Sequence, residues 1–414
     1  MERAVSKLAE FRRGWSLLLT ATVGSAVGLV PIMFYSLGSF IGPLHSEFGW
    51  NRGEISMAYL LATVVLSVAA PGLGVLIDRY GVRKLALLSI PLLAAVLFAI
   101  SRCERSVLAF QSLYGLAALL GLGATPVVYT HIVAGAFDKA RGLALGIAMS
   151  GVAVTTAGLP LLLATIIQAY GWRGGYVTLA ILVLVAWPFV LHFTRGLKVS
   201  AARKQTIMVD TSVFRLPVFW IIGIAFTAVA IAVGAVIVHL VPMLRDAGLS
   251  ALAAASVAGF VGIGAIVGRL ATGYLVDHLF APYVAACMFL LTSISFVLLL
   301  FTGTTTAPLA AALTGLSLGV EIDLMAYLTA RYFGMLRYGF VYSVIYSMFA
   351  IGGAIGPAAA GRAFDMSGNY RTTLWAAAAL RAISAITILR LPRFGRIDQQ
   401  DSEMLAGPIA TGKG

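Results

Sequence analysis

The chain has 414 residues, of which 60% are hydrophobic and 11% charged, and its mean hydropathy is +0.96. Soluble globules carry roughly a quarter charged residues, so both an ordinary soluble fold and a disordered chain are excluded. A net charge of +13 would point a soluble protein towards nucleic acid; in a chain this apolar it reads as topology, the excess of Lys and Arg that marks cytoplasmic loops.

Apolar stretches near the ~20 residues that a helix needs to cross a ~30 Å hydrocarbon core follow one another along the chain. There are twelve: 14–39, 53–77, 85–101, 107–136, 142–168, 174–194, 217–244, 251–276, 282–302, 307–332, 338–364 and 372–391. Continuous apolar runs of helix length, without the alternation of a membrane barrel, make this an all-α membrane protein. The first run is longer than a signal-peptide core and is expected to stay in the membrane. With the N-terminus inside, twenty Lys and Arg fall on the cytoplasmic side and seven outside, which places both termini in the cytoplasm of an inner-membrane protein. Arg269 and Arg381 lie within spans. Cys103 and Cys287 offer neither a disulfide framework nor metal-ligand spacing, and no metal or cofactor is expected.

A polar connection at 195–216, with Arg195, Lys198, Arg203, Lys204, Asp210 and Arg215, divides the spans into groups of six. The expected units are a bundle at 1–194, a cytoplasmic linker at 195–216, a second bundle at 217–391 and a cytoplasmic tail at 392–414. The halves repeat: Asp78 and Asp277 are 199 residues apart, Gly142 and Gly339 are 197, Pro160 and Pro357 are 197, and Trp172-Arg173 precedes Tyr370-Arg371 by 198. Two pseudo-symmetric six-helix bundles around a midplane site form the architecture of secondary transporters.

Residues 72–84, Gly-Leu-Gly-Val-Leu-Ile-Asp-Arg-Tyr-Gly-Val-Arg-Lys, resemble the loop between the second and third helices of the major facilitator superfamily, G-x-L-x-D-R-x-G-x-R-[RK]. Leu73 and Gly74 stand swapped relative to the commonest spelling, and the second-half copy keeps Gly273 and Asp277 but not the basic run. The resemblance implies a gating role for Asp78, Arg79, Gly81, Arg83, Lys84 and Asp277. The stretch Gly42-Pro43-Leu44-His45-Ser46-Glu47-Phe48-Gly49-Trp50-Asn51-Arg52 is similar to the first external loop of the monocarboxylate and oxalate/formate porter branch; Arg141-Gly142 through Gly146 and Tyr338-Gly339 through Gly356-Pro357 agree. Arg269 falls where that branch's eighth-helix arginine binds the substrate carboxylate. The branch's aspartate four residues earlier is Ala265 here, its first-helix lysine falls near Ser39, and the eleventh-helix lysine of oxalate carriers has no counterpart in 338–364. One firm cation suits a monoanion.

An ionisable residue inside a span costs about 2.5–3.5 kcal/mol to insert and is a functional candidate. A guanidinium offers a carboxylate two parallel hydrogen bonds, and Arg269 shares its face with the small residues Gly262, Ala265 and Gly273. Snorkelling, or pairing with an acid on another helix, is the structural alternative. Asp323 and Glu321 are the carboxylates of the tenth span, and each is a candidate proton carrier; two residues apart on a helix, they cannot share a face. The repeat maps Asp323 and Tyr327 onto Thr125 and Tyr129, which places those pairs at a pseudo-symmetric site. Glu321 also suits a structural pair with Arg337 or another helix. His131 titrates in the range for coupling, although it and His239 also read as helix-end histidines. Tyr35, Tyr114, Tyr129, Tyr327, Tyr342 and Tyr346 offer hydroxyls to a carboxylate and apolar walls to a carbon chain. Glycine pairs such as Gly264/Gly268 and Gly352/Gly356 read as helix-packing positions.

No nucleotide, zinc or nucleophile motif is present, so an enzyme or an ATP-driven pump is not expected. The expected activity is secondary transport of small organic anions, most simply symport of a monocarboxylate with a proton, in a bilayer, without nucleic acid, by a chain able to work as a monomer. The alternatives are proton-independent anion exchange and efflux of a neutral or cationic compound.

Overall fold

A computed structural model describes residues 7–137, 141–195 and 211–394. Among them all regular structure is helical: α1 (Lys7–Ala26), α2 (Leu29–Phe34), α3 (Leu37–Phe48), α4 (Arg52–Tyr80), α5 (Val82–Ser101), α6 (Val107–Leu120), α7 (Pro126–Ala136), α8 (Arg141–Phe193), α9 (Pro217–Asp246), α10 (Ala251–His278), α11 (Ala281–Thr302), α12 (Ala307–Leu318), α13 (Glu321–Ser367) and α14 (Arg371–Ile388). Helices dominate because lipid offers the backbone no hydrogen-bond partner, so each span must satisfy its own amides and carbonyls. Their starts are written locally. Asn51 and Glu54 form a reciprocal capping box on α4, Ser106 and Ser250 accept from the amides of Ala109 and Ala253, and proline opens α7, α9, α11 and α12.

Among the described residues twelve spans are present, with breaks inside three of them and two joints tighter than expected. Stretches 142–168 and 174–194 meet within α8 at Gly171, whose φ is +71°, and 307–332 meets 338–364 within α13 at Gly334, whose φ is +68°. Each corner is one residue in the left-handed region, which glycine alone adopts without a steric penalty. Nine helical stretches of the described residues are long and apolar enough to cross a membrane; one of them, Leu143–Phe193, runs through the Gly171 corner.

The first span, expected as one run over 14–39, extends from α1 to α3 and is interrupted at Val27–Gly28 and at Tyr35–Ser36. The fourth is interrupted between α6 and α7 by a 3-10 turn over Leu122–Ala124, and the tenth between α12 and α13 at Gly319–Val320. These last two breaks stand 198 residues apart, from Gly121 to Gly319, so the repeat extends to the interruptions. Paired interruptions in corresponding spans are where carriers of this architecture build their binding sites.

One apolar core cluster is drawn from residues 18–190 with Val238 added; two others draw only on residues 213–391. Across the chain's midpoint α3 packs on α9, α4 on α13 and α8 on α10. Gly264, Gly268, Gly315 and Gly319 bring α10 and α12 into backbone contact, because a Cβ at any of them would strike a carbonyl of the facing helix.

Candidate functional site

Arg269 leaves α10 towards the break that separates α12 from α13. Its Nε donates to Asp323 Oδ2 at 3.0 Å and to the carbonyl of Gly319 at 3.2 Å. The acid therefore sits on a different helix from the arginine, 54 positions along the chain. The pair is accessible: the Arg269 side chain is 33% exposed and that of Asp323 53%. Asp323 occupies the first turn of α13, where the positive end of a helix dipole favours a carboxylate.

Tyrosines from two elements lie near this pair, and one from a third lies beside those tyrosines. Tyr35, in the interruption between α2 and α3, is within electrostatic reach of Arg269, Glu321 and Tyr346. Tyr342 is within reach of Asp323 and Tyr346. On α13 the rings of Tyr338, Tyr342, Tyr346 and Phe349 follow one another at centroid separations of 5.2, 6.0 and 6.3 Å, an aromatic ladder with helical spacing. Tyr59 of α4 completes the group, within reach of Tyr35 and Tyr346 and with its ring 4.7 Å from that of Phe34. Tyr59 was not among the residues expected from sequence; its only signal there is a polar tip inside an apolar span.

Glu321 is held by a different set of partners. It is 1% exposed, and its Oε1 accepts from Arg381 Nη2 of α14 at 2.7 Å and from Ser317 Oγ at 3.3 Å. Arg381, 0% exposed, donates from Nη1 to Ser317 Oγ at 2.9 Å and stands 5.7 Å from the Phe289 ring. This guanidinium, which the sequence left without a partner, is the "other helix" of the structural alternative for Glu321.

The remaining expected residues are spread out. Tyr114 is buried, its hydroxyl 2.7 Å from that of Tyr176 within an aromatic cluster that includes Phe110. Tyr129 is buried against Gly24, and Thr125, at the start of α7, donates to the carbonyl of Leu122 at 2.8 Å. His131 is exposed on α7. Tyr327 donates to the carbonyl of Val276 at 3.4 Å, below Arg269 on α10. Of the gating residues, Gly81 turns the chain between α4 and α5 at φ +79°, Arg83 donates to the carbonyl of Leu191 at 3.2 Å, Arg79 stands 5.3 Å from the Tyr80 ring and Lys84 is exposed. Asp78 and Asp277 lie on α4 and α10, with side chains outside the described residues.

A second polar assembly ties the two halves together at the end of the molecule that carries Arg52. The amides of Arg52 and Gly53, at the start of α4, donate to the two oxygens of Asp365 at 3.1 and 2.9 Å. The Arg52 guanidinium reaches Asp246 at 2.6 Å and the Tyr370 hydroxyl at 2.7 Å, and stands 3.8 Å from the Phe364 ring. Tyr370 Oη lies 3.0 Å from Nδ1 of buried His239, whose Nε2 lies 3.0 Å from the carbonyl of Pro357 and 3.1 Å from Ser56 Oγ. A carbonyl only accepts, so Nε2 carries the ring proton and Nδ1 accepts from Tyr370. His239, expected as a helix-end histidine, is thus a buried link across the halves. Among the described residues no group of His, Cys, Asp and Glu could hold a metal ion.

Comparison with known proteins agrees with the helical architecture. The model of the Major Facilitator Superfamily matches residues 23–357. The chain is 26% identical over 400 residues to monocarboxylate transporter 13 of Bos taurus, covering 92% of this chain and 90% of that one. It is 25% identical over 230 residues to the oxalate:formate antiporter of Oxalobacter formigenes, covering 52% and 53%. The crystal structure of a D-xylose-proton symporter superposes with a TM-score of 0.73 at 12% identity, over 92% of this chain and 98% of that one, a likeness of fold.

Proposed function

The chain belongs to the Major Facilitator Superfamily, and from that membership we propose that this transporter carries a small monocarboxylate together with a proton. The Arg269–Asp323 pair carries the reading, because one guanidinium balances one carboxylate. When the cargo carboxylate takes the fork, Asp323 loses its counter-charge, and a proton on Asp323 restores neutrality. Cargo anion and proton then cross as a neutral sum, and neither is bound productively without the other. Tyr35, Tyr342 and Tyr346 supply hydroxyls beside the fork and ring faces for the carbon frame. Glu321, held by Arg381, is a fixed charge in this scheme and Asp323 is the exchangeable one.

The two halves, 1–194 and 217–391, act as the rocking units. With both termini cytoplasmic, the Arg52 assembly closes the external side, and the tyrosine ladder lines the route to the cytoplasm. The residues from Asp78 to Lys84 and Asp277 then lie at the opposite, cytoplasmic ends of their helices.

Proteoliposomes with an internal pH dye test the scheme. Addition of a carried monocarboxylate acidifies the lumen with wild type, Arg269→Ala abolishes both flux and acidification, and Asp323→Asn binds cargo without moving protons. Cargo uptake without acidification, accelerated by carboxylate on the opposite side, would make the protein an anion exchanger instead.

A further inference from the structure

The tenth span breaks at Gly319–Val320, and the carbonyl of Gly319 is one of the two acceptors that hold Arg269. Ser317 stands two residues before Gly319, near the end of α12; Glu321 stands two after it, as the first residue of α13. The single guanidinium of Arg381 reaches both, with Nη1 on Ser317 at 2.9 Å and Nη2 on Glu321 at 2.7 Å. We propose that Arg381 is a positioning residue: its fork clamps the two ends of the break, fixes the Gly319 carbonyl between them, and so sets the place and direction of the Arg269 guanidinium that receives the cargo.

The chemistry of the fork supports a clamp over simple neutralisation. A charge needed only to balance Glu321 could be a lysine, a single point of positive charge; a planar guanidinium holds two acceptors at a fixed separation. The break has little slack, since a Cβ at Gly319 would meet the Ala265 carbonyl on α10, so a shift of Gly319 is passed directly to the helix that carries Arg269. The N-terminal half provides an internal comparison. At the repeat offset of 198, Ser317, Glu321 and Arg381 correspond to Leu119, Gly123 and Val183. There the break is held by a neutral contact, the amide of Gly123 donating to Ser89 Oγ at 3.1 Å, and among the described residues no arginine is bonded to it. Among the described residues, the ionic clamp stands at the break from which a cargo arginine hangs. Among the described residues, Glu321 Oε2 and Arg381 Nε have no partner, so the assembly leaves polar atoms buried and unpaired while satisfying those that straddle the break.

This inference rests on the carboxylate reading of Arg269, yet it can be measured without cargo. Phenylglyoxal modifies accessible guanidinium groups, and peptide mass spectrometry reports its rate at Arg269 alone. Three variants of the purified protein are compared with wild type: Arg381→Lys, the apolar pair Arg381→Met with Glu321→Leu, and Ser317→Ala, which keeps the charge pair and removes one arm. The modification rate at Arg269 is expected to rise at least threefold in the first two and to a smaller degree in Ser317→Ala, with Arg371 as an unchanged internal reference. Binding of acetate, pyruvate and lactate is expected to weaken tenfold or more in the folded variants, and Arg381→Lys is not expected to rescue it. An unchanged rate at Arg269 in any two folded variants overturns the clamp, as does wild-type binding by the apolar pair. A raised rate in a protein whose wild type binds none of these acids leaves the clamp standing and removes the carboxylate reading instead.

Discussion

Arg381 and Glu321 are fully buried and oppositely charged, and single and paired substitutions should therefore behave very differently. Arg381→Met alone leaves a carboxylate buried without its counter-charge, a loss of about 3–5 kcal/mol, whereas adding Glu321→Leu removes the charge as well and returns most of it. Thermal unfolding in detergent should show a large fall in Tm for the single variant and near recovery for the double; equal falls would mean that the pair contributes only volume. Cys103, in the connection between α5 and α6, gives a second prediction. Burial pushes its thiol above the usual range, with the nearby Arg173 charge opposing. The thiolate is the reactive form, so maleimide should label Cys103 slowly at neutral pH and faster as pH rises through and beyond the ordinary thiol range. Fast labelling at pH 7 would contradict it. Arg269 was legible in the sequence because a charge inside an apolar run announces itself, and Asp323 for the same reason. Their pairing was not, because nothing in either helix states which turn of α13 faces α10. Arg381 was seen but had no partner on the page, since Glu321 lies 60 residues away on a helix that meets α14 only in the fold.

The helices themselves were largely readable, because hydropathy alone dictates spans in lipid, but of their interruptions only those beside a proline announce themselves. Thr125 before Pro126 marks the start of α7, with Thr125 extended as the residue before a proline prefers. At Gly319 no proline warns of a break; the residue lies instead against α10, where a Cβ would meet the Ala265 carbonyl. The Gly171 and Gly334 corners were expected as ordinary loops because a left-handed glycine looks like any other in a chain with 44 of them. At both corners a Cβ would meet no other atom, so substitution tests backbone strain alone. Gly334→Ala should cost about 1–2 kcal/mol and lower Tm by a few degrees, with cargo binding retained. Gly319→Ala should do the reverse in kind: it forces α10 from the break, and cargo affinity should fall further than stability. Equal ratios of the two effects in both variants would argue against a special role for the break.

At the scale of the whole molecule, the two halves meet through residues that sequence cannot pair. Arg52 and Asp365 are 313 positions apart, Ser56 and His239 are 183, and no local pattern connects them. What sequence did show was the repeat, and the structure extends it: left-handed glycines at 49 and 248, and again at 171 and 368, recur at nearly the offset of the sequence anchors. The proposed external closure gives a direct test. Ser39 lines a cavity of about 20 Å³ between the halves, together with Tyr35, Pro160 and Val241. A cysteine at Ser39 should be shielded from a membrane-impermeant maleimide applied outside intact cells. Adding Arg52→Ala or Asp365→Asn should raise its labelling several-fold, and strong labelling without them would place the closure at the wrong side.

The Arg52 assembly also has a practical consequence. It joins helix amides, a guanidinium, two carboxylates, a phenol and an imidazole into one plug between the two halves. In the proposed orientation, a binder selected against the purified protein meets that plug from the outside and can also reach the cytoplasmic side. Selections run in detergent can then return ligands of the cytoplasmic side, which cannot reach their target in a living cell. A screen for outside-acting inhibitors should start from an Arg52 variant in which the plug has been released.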